Sequence, residues 1–360
     1  MEYVINKGKK PNRYPLFGED AAEEVISFHR SIEGYSETPL TSLPCMAQRL
    51  GTGGLYVKDE SFRFGLGAFK ALGSLYAMER MPGADTFVTA TDGNHCRAVA
   101  YAARRLGKKA VVLMPAGSSE ERLGSIRKEG AEAWVTSMNY DDTVREASRL
   151  AWENGWRLIQ DTTVEGNGDA ALYIMQGYLT MVKEALSQMD APPTHVFLQA
   201  GVGSMAGAAA AYLQNVFYPD SPVIVVVEAD AADCYYRTVK ASDGRVHPST
   251  GDLATIMAGL ACGEPSSIAL PILMESADCF VSLTDEDDMA GIRALRYPEG
   301  SDSVVFSGES GAAGFSALLS ITQGGHESLR SALGLGKDSS VLVFSTEGVT
   351  DTQSYEKIIS

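Results

Sequence analysis

The chain has 360 residues, 45% of them hydrophobic and 21% charged, with a formal net charge of -16. That is long enough for two α/β lobes and ordinary for a soluble globular protein, and it lacks the basic stripe a nucleic-acid partner requires. No apolar run reaches the roughly 18 residues of a membrane span, and residues 1–10 have charges but no apolar stretch of a secretion signal. Five cysteines, Cys45, Cys96, Cys234, Cys262 and Cys279, show no Cys-x-x-Cys or Cys/His spacing, which predicts no metal centre and a reducing cytoplasm. The acidity serves solubility and selects no substrate.

Short β-rich runs at 55–57, 86–90, 110–114, 133–136, 157–160, 195–199, 223–228, 279–282 and 340–344 alternate with helical runs. After 86–90, Val99, Tyr101, Ala102 and Leu106 have helical spacing and Gly107 supplies a stop. From 141 to 152, Asp141 is placed to cap, while Val144, Ala147, Leu150 and Ala151 form one face. Alternation of this kind predicts an α/β protein of two lobes, each a mostly parallel sheet flanked by helices. The expected division is a discontinuous large domain of 1–80 plus 166–360 and a small domain of 81–165. Ligands in such sheets bind beyond the carboxyl ends of strands.

The first segment with chemistry is Phe62-Arg63-Phe64-Gly65-Leu66-Gly67-Ala68-Phe69-Lys70-Ala71-Leu72-Gly73. It surrounds one amine with small and aromatic residues at a helix start. Burial lowers an amine's proton affinity, and a neutral lysine attacks aldehydes, of which pyridoxal 5'-phosphate is the one suited to amino-acid carbanions. Taken alone, the segment reads better as a helix-start lysine lying over apolar neighbours. Next, the run 86–90 enters Thr91-Asp92-Gly93-Asn94-His95 and a helix. This turn offers backbone N–H groups and an amide to an anion such as an amino-acid carboxylate. Asp92 would repel that carboxylate unless it faces elsewhere, which suggests a base or a clamp on a substrate ammonium; its ordinary alternative is a helix cap. His95 reads as a surface residue in the first helical turn with no special task.

The third segment, Ala200-Gly201-Val202-Gly203-Ser204-Met205-Ala206-Gly207, follows the run 195–199 directly. Glycine-rich strand-to-helix turns cradle phosphates. The same residues mimic a dinucleotide fingerprint, Gly201-x-Gly203-x-x-Ala206 with Glu228 ending the next strand where a ribose-binding acid would sit. An NAD-dependent oxidoreductase is therefore a rival on this segment, although it leaves Lys70 and the Asp92 turn without a task.

An aromatic-lysine segment, a Gly-Asn turn and a glycine loop in this order resemble the fold-type-II (tryptophan synthase β-like) pyridoxal-phosphate enzymes. These include threonine dehydratase, serine racemase and cysteine synthase. The pattern is more similar still to the diaminopropionate ammonia-lyases. Beyond the three segments, the resemblance rests on Lys58-Asp59-Glu60-Ser61, Met138-Asn139-Tyr140-Asp141-Asp142-Thr143-Val144-Arg145, Gln160-Asp161-Thr162 and Ile174-Met175-Gln176-Gly177-Tyr178. It continues through Ala254-Thr255-Ile256-Met257-Ala258-Gly259-Leu260-Ala261-Cys262-Gly263-Glu264-Pro265, Ser307-Gly308-Glu309-Ser310-Gly311 and Ser345-Thr346-Glu347-Gly348, and so spans nearly the whole chain.

The resemblance implies an active site in the cleft between two lobes and a PLP-dependent ammonia-lyase that releases pyruvate and ammonia from D- and L-2,3-diaminopropionate. Lys70 would carry the cofactor, Phe69 would pack beside its ring, and Asn94 would bond the ring hydroxyl. Gly201, Val202, Gly203, Ser204 and Met205 would hold the phosphate, and Ser345, with Thr346 as the alternative, would face the pyridine nitrogen. Thr91, Asp92, Gly93, His95 and Asp161 would meet the substrate. Both hands of substrate demand a base on each face, Lys70 for L and Asp92 for D, with Asp161 binding the β-ammonium or assisting Asp92. Two close carboxylates would raise one another's pKa, though Asp161 reads equally as a loop or cap residue. A related dehydratase or lyase is the alternative within the superfamily, and a homodimer is the expected assembly. Some relatives pair cysteines like Cys234 and Cys262; a reducing cytoplasm favours two thiols.

The chain departs from the family pattern in places. Thr162-Thr163-Val164-Glu165-Gly166-Asn167-Gly168-Asp169-Ala170-Ala171 has Val164 and Asn167 at two usually aromatic positions. Gly67 stands where Asn is usual and Cys96 where Gly is usual. These changes bear on the substrate, not the cofactor.

Overall fold

The computed structural model describes residues 1–91, 93–160 and 168–360. Its strands are β1 (Glu2–Ile5), β2 (Leu40–Ser42), β3 (Gly54–Asp59), β4 (Thr86–Ala90), β5 (Lys109–Met114), β6 (Glu132–Val135), β7 (Arg157–Leu158), β8 (His195–Gln199), β9 (Val223–Ala229), β10 (Cys279–Leu283) and β11 (Ser340–Ser345). The chain divides into two units: Met1–Asp20, Glu37–Ala68 and Met181–Ser360 form the first, Ala21–Ser36 and Phe69–Thr180 the second.

The first unit contains a seven-stranded sheet ordered β1-β10-β9-β8-β11-β3-β2. Its five central strands run parallel, and only the edges β1 and β2 are antiparallel to their neighbours. β8 and β10 are buried at every position, as expected of parallel strands covered on both faces, where alternation gives way to continuous apolar runs. The helix Glu309–Gln323 packs on β8, β9, β10 and β11 and is buried from Glu309 to Ile321. The second unit contains the all-parallel sheet β6-β5-β4-β7. Val88, Ala90, Val111, Leu113, Ala147, Ala151 and Leu158 form one of its cores.

All nine β-rich runs lie on strands, although the run at 157–160 pairs only at Arg157–Leu158. β1 and β2 carry no sequence signal: they have four and three residues, are mostly solvent-facing, and exist through pairing with strands distant in the chain. The helix Tyr140–Asn154 is capped by Asn139, whose side chain accepts from the Asp142 N–H, rather than from position 141. The segment 81–165 falls within the second unit, which also takes in residues on either side. The reason is local packing: His29 lies 2.7 Å from Thr180 Oγ1 and 3.0 Å from the Leu72 carbonyl, and the helix Ala71–Glu79 packs on the helix Gly168–Gly177. Among the described residues no helix is long and apolar enough to cross a membrane.

A buried charge cluster organises the first unit between β3 and the helix Leu179–Gln188. Arg63 bonds Glu60 and Glu184, and Lys58 bonds Glu184 and the Thr38 carbonyl, with all four charged side chains fully buried. Thr38 Oγ1 donates to Glu60. Burial pushes the Glu184 carboxyl up, but the Arg63 hydrogen bonds and the Arg63 and Lys58 charges outweigh it and hold it at about 2. A carboxyl depressed by folding contributes stability that is complete above its ordinary value of 4.5 and is lost as pH falls through about 2. Glu184→Gln strands Lys58 without its ion-pair partner and leaves Arg63 with Glu60 alone, and a broken buried pair costs about 3–5 kcal/mol. Urea unfolding from pH 7 to pH 2 should show that loss at neutrality and a flatter acid limb in the variant.

Candidate active site

The carboxyl edge of the first unit's sheet gathers the cofactor-type residues expected there. β8 ends at Gln199 and passes into the glycine loop, and the neighbouring β11 ends at Ser345. The two strands pair in parallel with Val343 opposite Phe197, so they finish at the same level. Beyond the loop the thirteen-residue helix Ser204–Val216 starts at Gly203, which lies at φ +88° and caps the helix with no side chain. The first N–H groups of a helix have no intrahelical partner, and the helix dipole favours a negative charge there. A Cβ at Gly203 would overlap the Tyr235 hydroxyl, so packing as well as backbone angle requires glycine. Gly201, Val202, Gly203, Ser204 and Met205 thus form a narrow backbone cradle.

Ser345 is buried and donates to Ser307 Oγ at 2.8 Å, while Thr346 Oγ1 accepts from Gln199 Nε2 at 3.0 Å. The Gln199 amide also reaches the carbonyls of Gly311 and Phe344, which pins the ends of β8 and β11 together. Ser307 lies in a motif stretch and Gln199 ends the run 195–199, yet neither carried a role from sequence, because their partners come from distant segments. Tyr235 had no sequence signal at all.

Lys70 occupies the N-cap position of the helix Ala71–Glu79 and is half-buried, its Nζ 5.3 Å from the centroid of the Phe69 ring. Phe69 in turn packs against Tyr178, with ring centroids 4.8 Å apart. The preceding chain is fixed within the first unit: Ala68 bridges to Glu347, and the Gly348 N–H donates to the Gly67 carbonyl. Gly67 has φ +77°. Asn is the other residue that tolerates this left-handed conformation, which explains how Gly can stand where the family pattern has Asn.

In the second unit Gly93 is the N-cap of the helix Asn94–Arg105, which also packs on the helix Ala71–Glu79. Thr91 and Asn94 are half-buried and Gly93 is exposed. His95 is not on the surface as its first-turn position suggests: it is buried with Nε2 3.1 Å from the Ile159 carbonyl, which holds the ring inward. Cys96 Sγ donates to the Thr91 carbonyl, so the thiol braces the turn. Asp92 and Asp161 lie outside the described residues, as do Val164 and Asn167.

The dinucleotide reading fails at Glu228. Its side chain is wholly buried and accepts the Tyr235 and Tyr236 N–H groups at 2.8 and 2.7 Å, so it anchors a helix start and faces no ribose. Burial, with Asp233 adding repulsion, pushes its carboxyl up to about 8 against those two N–H donors. Cys234 and Cys262 are thiols, like the other three cysteines.

The first unit's donors fit pyridoxal 5'-phosphate: an uncapped helix start behind two glycines for its phosphate and a hydroxyl ending the adjacent strand for its ring nitrogen. A family model described as pyridoxal-phosphate dependent enzyme matches residues 32–347. A diaminopropionate ammonia-lyase of Escherichia coli strain K12 is 44% identical, over 100% of this chain and 96% of that protein. The crystal structure of the Escherichia coli enzyme in complex with an aminoacrylate-PLP azomethine reaction intermediate has a TM-score of 0.93 and 43% identity, covering 99% of this chain and 96% of that one. The same enzyme in complex with D-serine gives 0.92 and 41%, with the same coverage.

The helix that begins beside Lys70 is seated by close backbone contact. A Cβ at Gly177 would lie 2.5 Å from the Leu72 carbonyl oxygen and 2.6 Å from Gly73 Cα. Overpacking of this kind costs about 1–3 kcal/mol or more. Gly177→Ala should lower stability by that amount in urea titration and weaken cofactor retention on gel filtration.

Proposed function

Because the chain belongs to the diaminopropionate ammonia-lyase family of pyridoxal-phosphate dependent enzymes, we propose that it converts D- and L-2,3-diaminopropionate and water to pyruvate and two molecules of ammonia. The observation that carries this reading is 44% identity across the whole chain and nearly the whole relative.

When bound, pyridoxal 5'-phosphate conjugates the substrate's α-nitrogen with its pyridine ring and draws electron density from Cα, which makes the α-proton acidic. Lys70 is the residue we assign to hold the cofactor aldehyde in the resting enzyme. With substrate bound, the amine of Lys70 would take the α-proton of the L isomer. Asp92 takes the α-proton of the D isomer from the other face, since one base cannot reach both Cα–H directions. Asp161 holds the β-ammonium or shares a proton with Asp92. The anion-binding turn of Thr91, Gly93 and Asn94 receives the substrate carboxylate, with Asn94 also placed for the ring hydroxyl. Phe69 covers the ring beside Lys70, and His95 supports the turn from its buried position.

Gly201 through Met205 hold the phosphate. Ser345, or Thr346 beside it, meets the ring nitrogen with a neutral hydroxyl, which leaves that nitrogen less firmly protonated than a carboxylate would. A β-elimination tolerates the weaker electron sink because the β-nitrogen departs soon after the proton. The released three-carbon enamine tautomerises and hydrolyses in water. A cytoplasmic homodimer completes the reading, supported by the family pattern and by five cysteine thiols. The Val164 and Asn167 replacements favour one second reading, a lyase or dehydratase acting on a related β-substituted amino acid.

Pyruvate release from D- and L-2,3-diaminopropionate, assayed separately with DL-serine beside them, tests the substrate. Rapid release from both diamino isomers is expected, and silence with both while serine turns over would hand the site to the second reading. Lys70→Ala should lose the visible cofactor band and fall in kcat by at least about a thousandfold. Asp92→Asn should lose roughly a hundredfold or more on the D isomer and keep most activity on the L isomer; equal losses on both would remove the two-base assignment.

A further inference from the structure

We infer that Tyr235 is a positioning residue for the cofactor phosphate, acting by clamping the Val202 carbonyl so that the next peptide N–H is aimed at the anion. The inference rests on the phosphate site assigned above. Tyr235 is fully buried, and its hydroxyl donates to the Val202 carbonyl at 2.8 Å. The Ser266 N–H donates to the same carbonyl, also at 2.8 Å. A trans peptide is planar, with its C=O and N–H pointing in opposite directions. Two donors on the Val202 oxygen therefore fix the direction of the Gly203 N–H, which must point away from Tyr235. The hydroxyl also fills the space where a Cβ at residue 203 would stand, so Gly203 and Tyr235 are a matched pair.

Tyr235 is held firmly enough to act as a clamp. Its ring stacks on Phe280 with 6.2 Å between centroids and 6° between planes. Its backbone N–H donates to Glu228 at 2.8 Å, at the carboxyl end of β9 beside β8. A buried carboxyl at that strand end thus connects through one tyrosine to the turn that receives the phosphate. The lost bond in Tyr235→Phe leaves the half-buried Val202 carbonyl with one donor instead of two and frees the 202–203 peptide to rotate.

The experiment compares two probes, pyridoxal 5'-phosphate and pyridoxal, titrated by absorbance into full-length protein stripped of cofactor. Wild type should bind the phosphorylated probe much more tightly. If it binds both equally, the phosphate site itself is misassigned. In Tyr235→Phe the phosphate-dependent preference should fall roughly 5- to 30-fold, the range expected for one lost hydrogen bond, while pyridoxal affinity holds. The 31P resonance of bound cofactor should shift in the same variant. Phe280→Leu weakens the stack but keeps the hydroxyl; it should lower the melting temperature and leave the preference intact. An unchanged preference in Tyr235→Phe, an equal loss for both probes, or a matching loss in Phe280→Leu would each overturn the clamp.

Discussion

Four buried charges within one unit fix the start of the segment that leads along the chain to Lys70. Lys58, Glu60, Arg63 and Glu184 are fully excluded from water and sum to zero. Isolated, any one of them would be prohibitive to bury. Together they lock the end of β3 and the turn Glu60–Gly65 to the helix Leu179–Gln188, because each cation is bonded to an acid and the guanidinium engages both acids at once. Such a cluster adds little net stability over an apolar core, but it tolerates one arrangement of its partners. That arrangement sets where the chain emerges at Gly65, with Phe64, Gly65 and Gly67 all at positive φ. The last residues before Lys70 are then tied to Glu347 and Gly348, just past the end of β11.

The same sheet edge supplies the anion cradle and the hydroxyl. Parallel pairing brings the carboxyl ends of the central strands to one side, and the Gln199 amide bonds both the helix Glu309–Gln323 and β11. One buried side chain therefore ties the glycine loop's starting point to the strand end that carries Ser345. Ser307 completes the group by accepting the Ser345 proton in a hydrogen bond, which leaves the Ser345 oxygen lone pairs to be oriented by whatever faces them.

Legibility in the sequence followed the range of the forces involved. Strand runs such as 195–199 and 223–228 were readable because burial on both faces writes itself as continuous apolar residues. The edge strands β1 and β2 were not, since their pairing is with residues hundreds of positions away or across a turn and leaves little local pattern. Lys70 and the glycine loop were visible because special backbone demands leave glycines in the text. Ser307, Gln199 and Tyr235 were invisible as functional residues for the opposite reason: each acts on a segment far off in the chain, and a serine, a glutamine or a tyrosine in a buried run has many ordinary explanations. His95 shows the converse, a residue of chemical type whose first-turn position reads as surface, yet whose ring is buried because it bonds the Ile159 carbonyl of a segment far off in the chain.

Glu228 shows why a motif must be judged by the partners of its polar atoms. The spacing Gly201-x-Gly203-x-x-Ala206, followed by an acid at the next strand end, arises from needs common to many phosphate sites: a tight turn, close backbone approach and a free helix start. A dinucleotide site adds a further need, an acid facing the ligand. Here both carboxylate oxygens are consumed by the N–H groups of Tyr235 and Tyr236, inside the protein. The acid has an internal task, to fix the helix whose tyrosine backs the turn. The local text is shared between the two cofactor classes, and the direction in which one side chain is spent separates them.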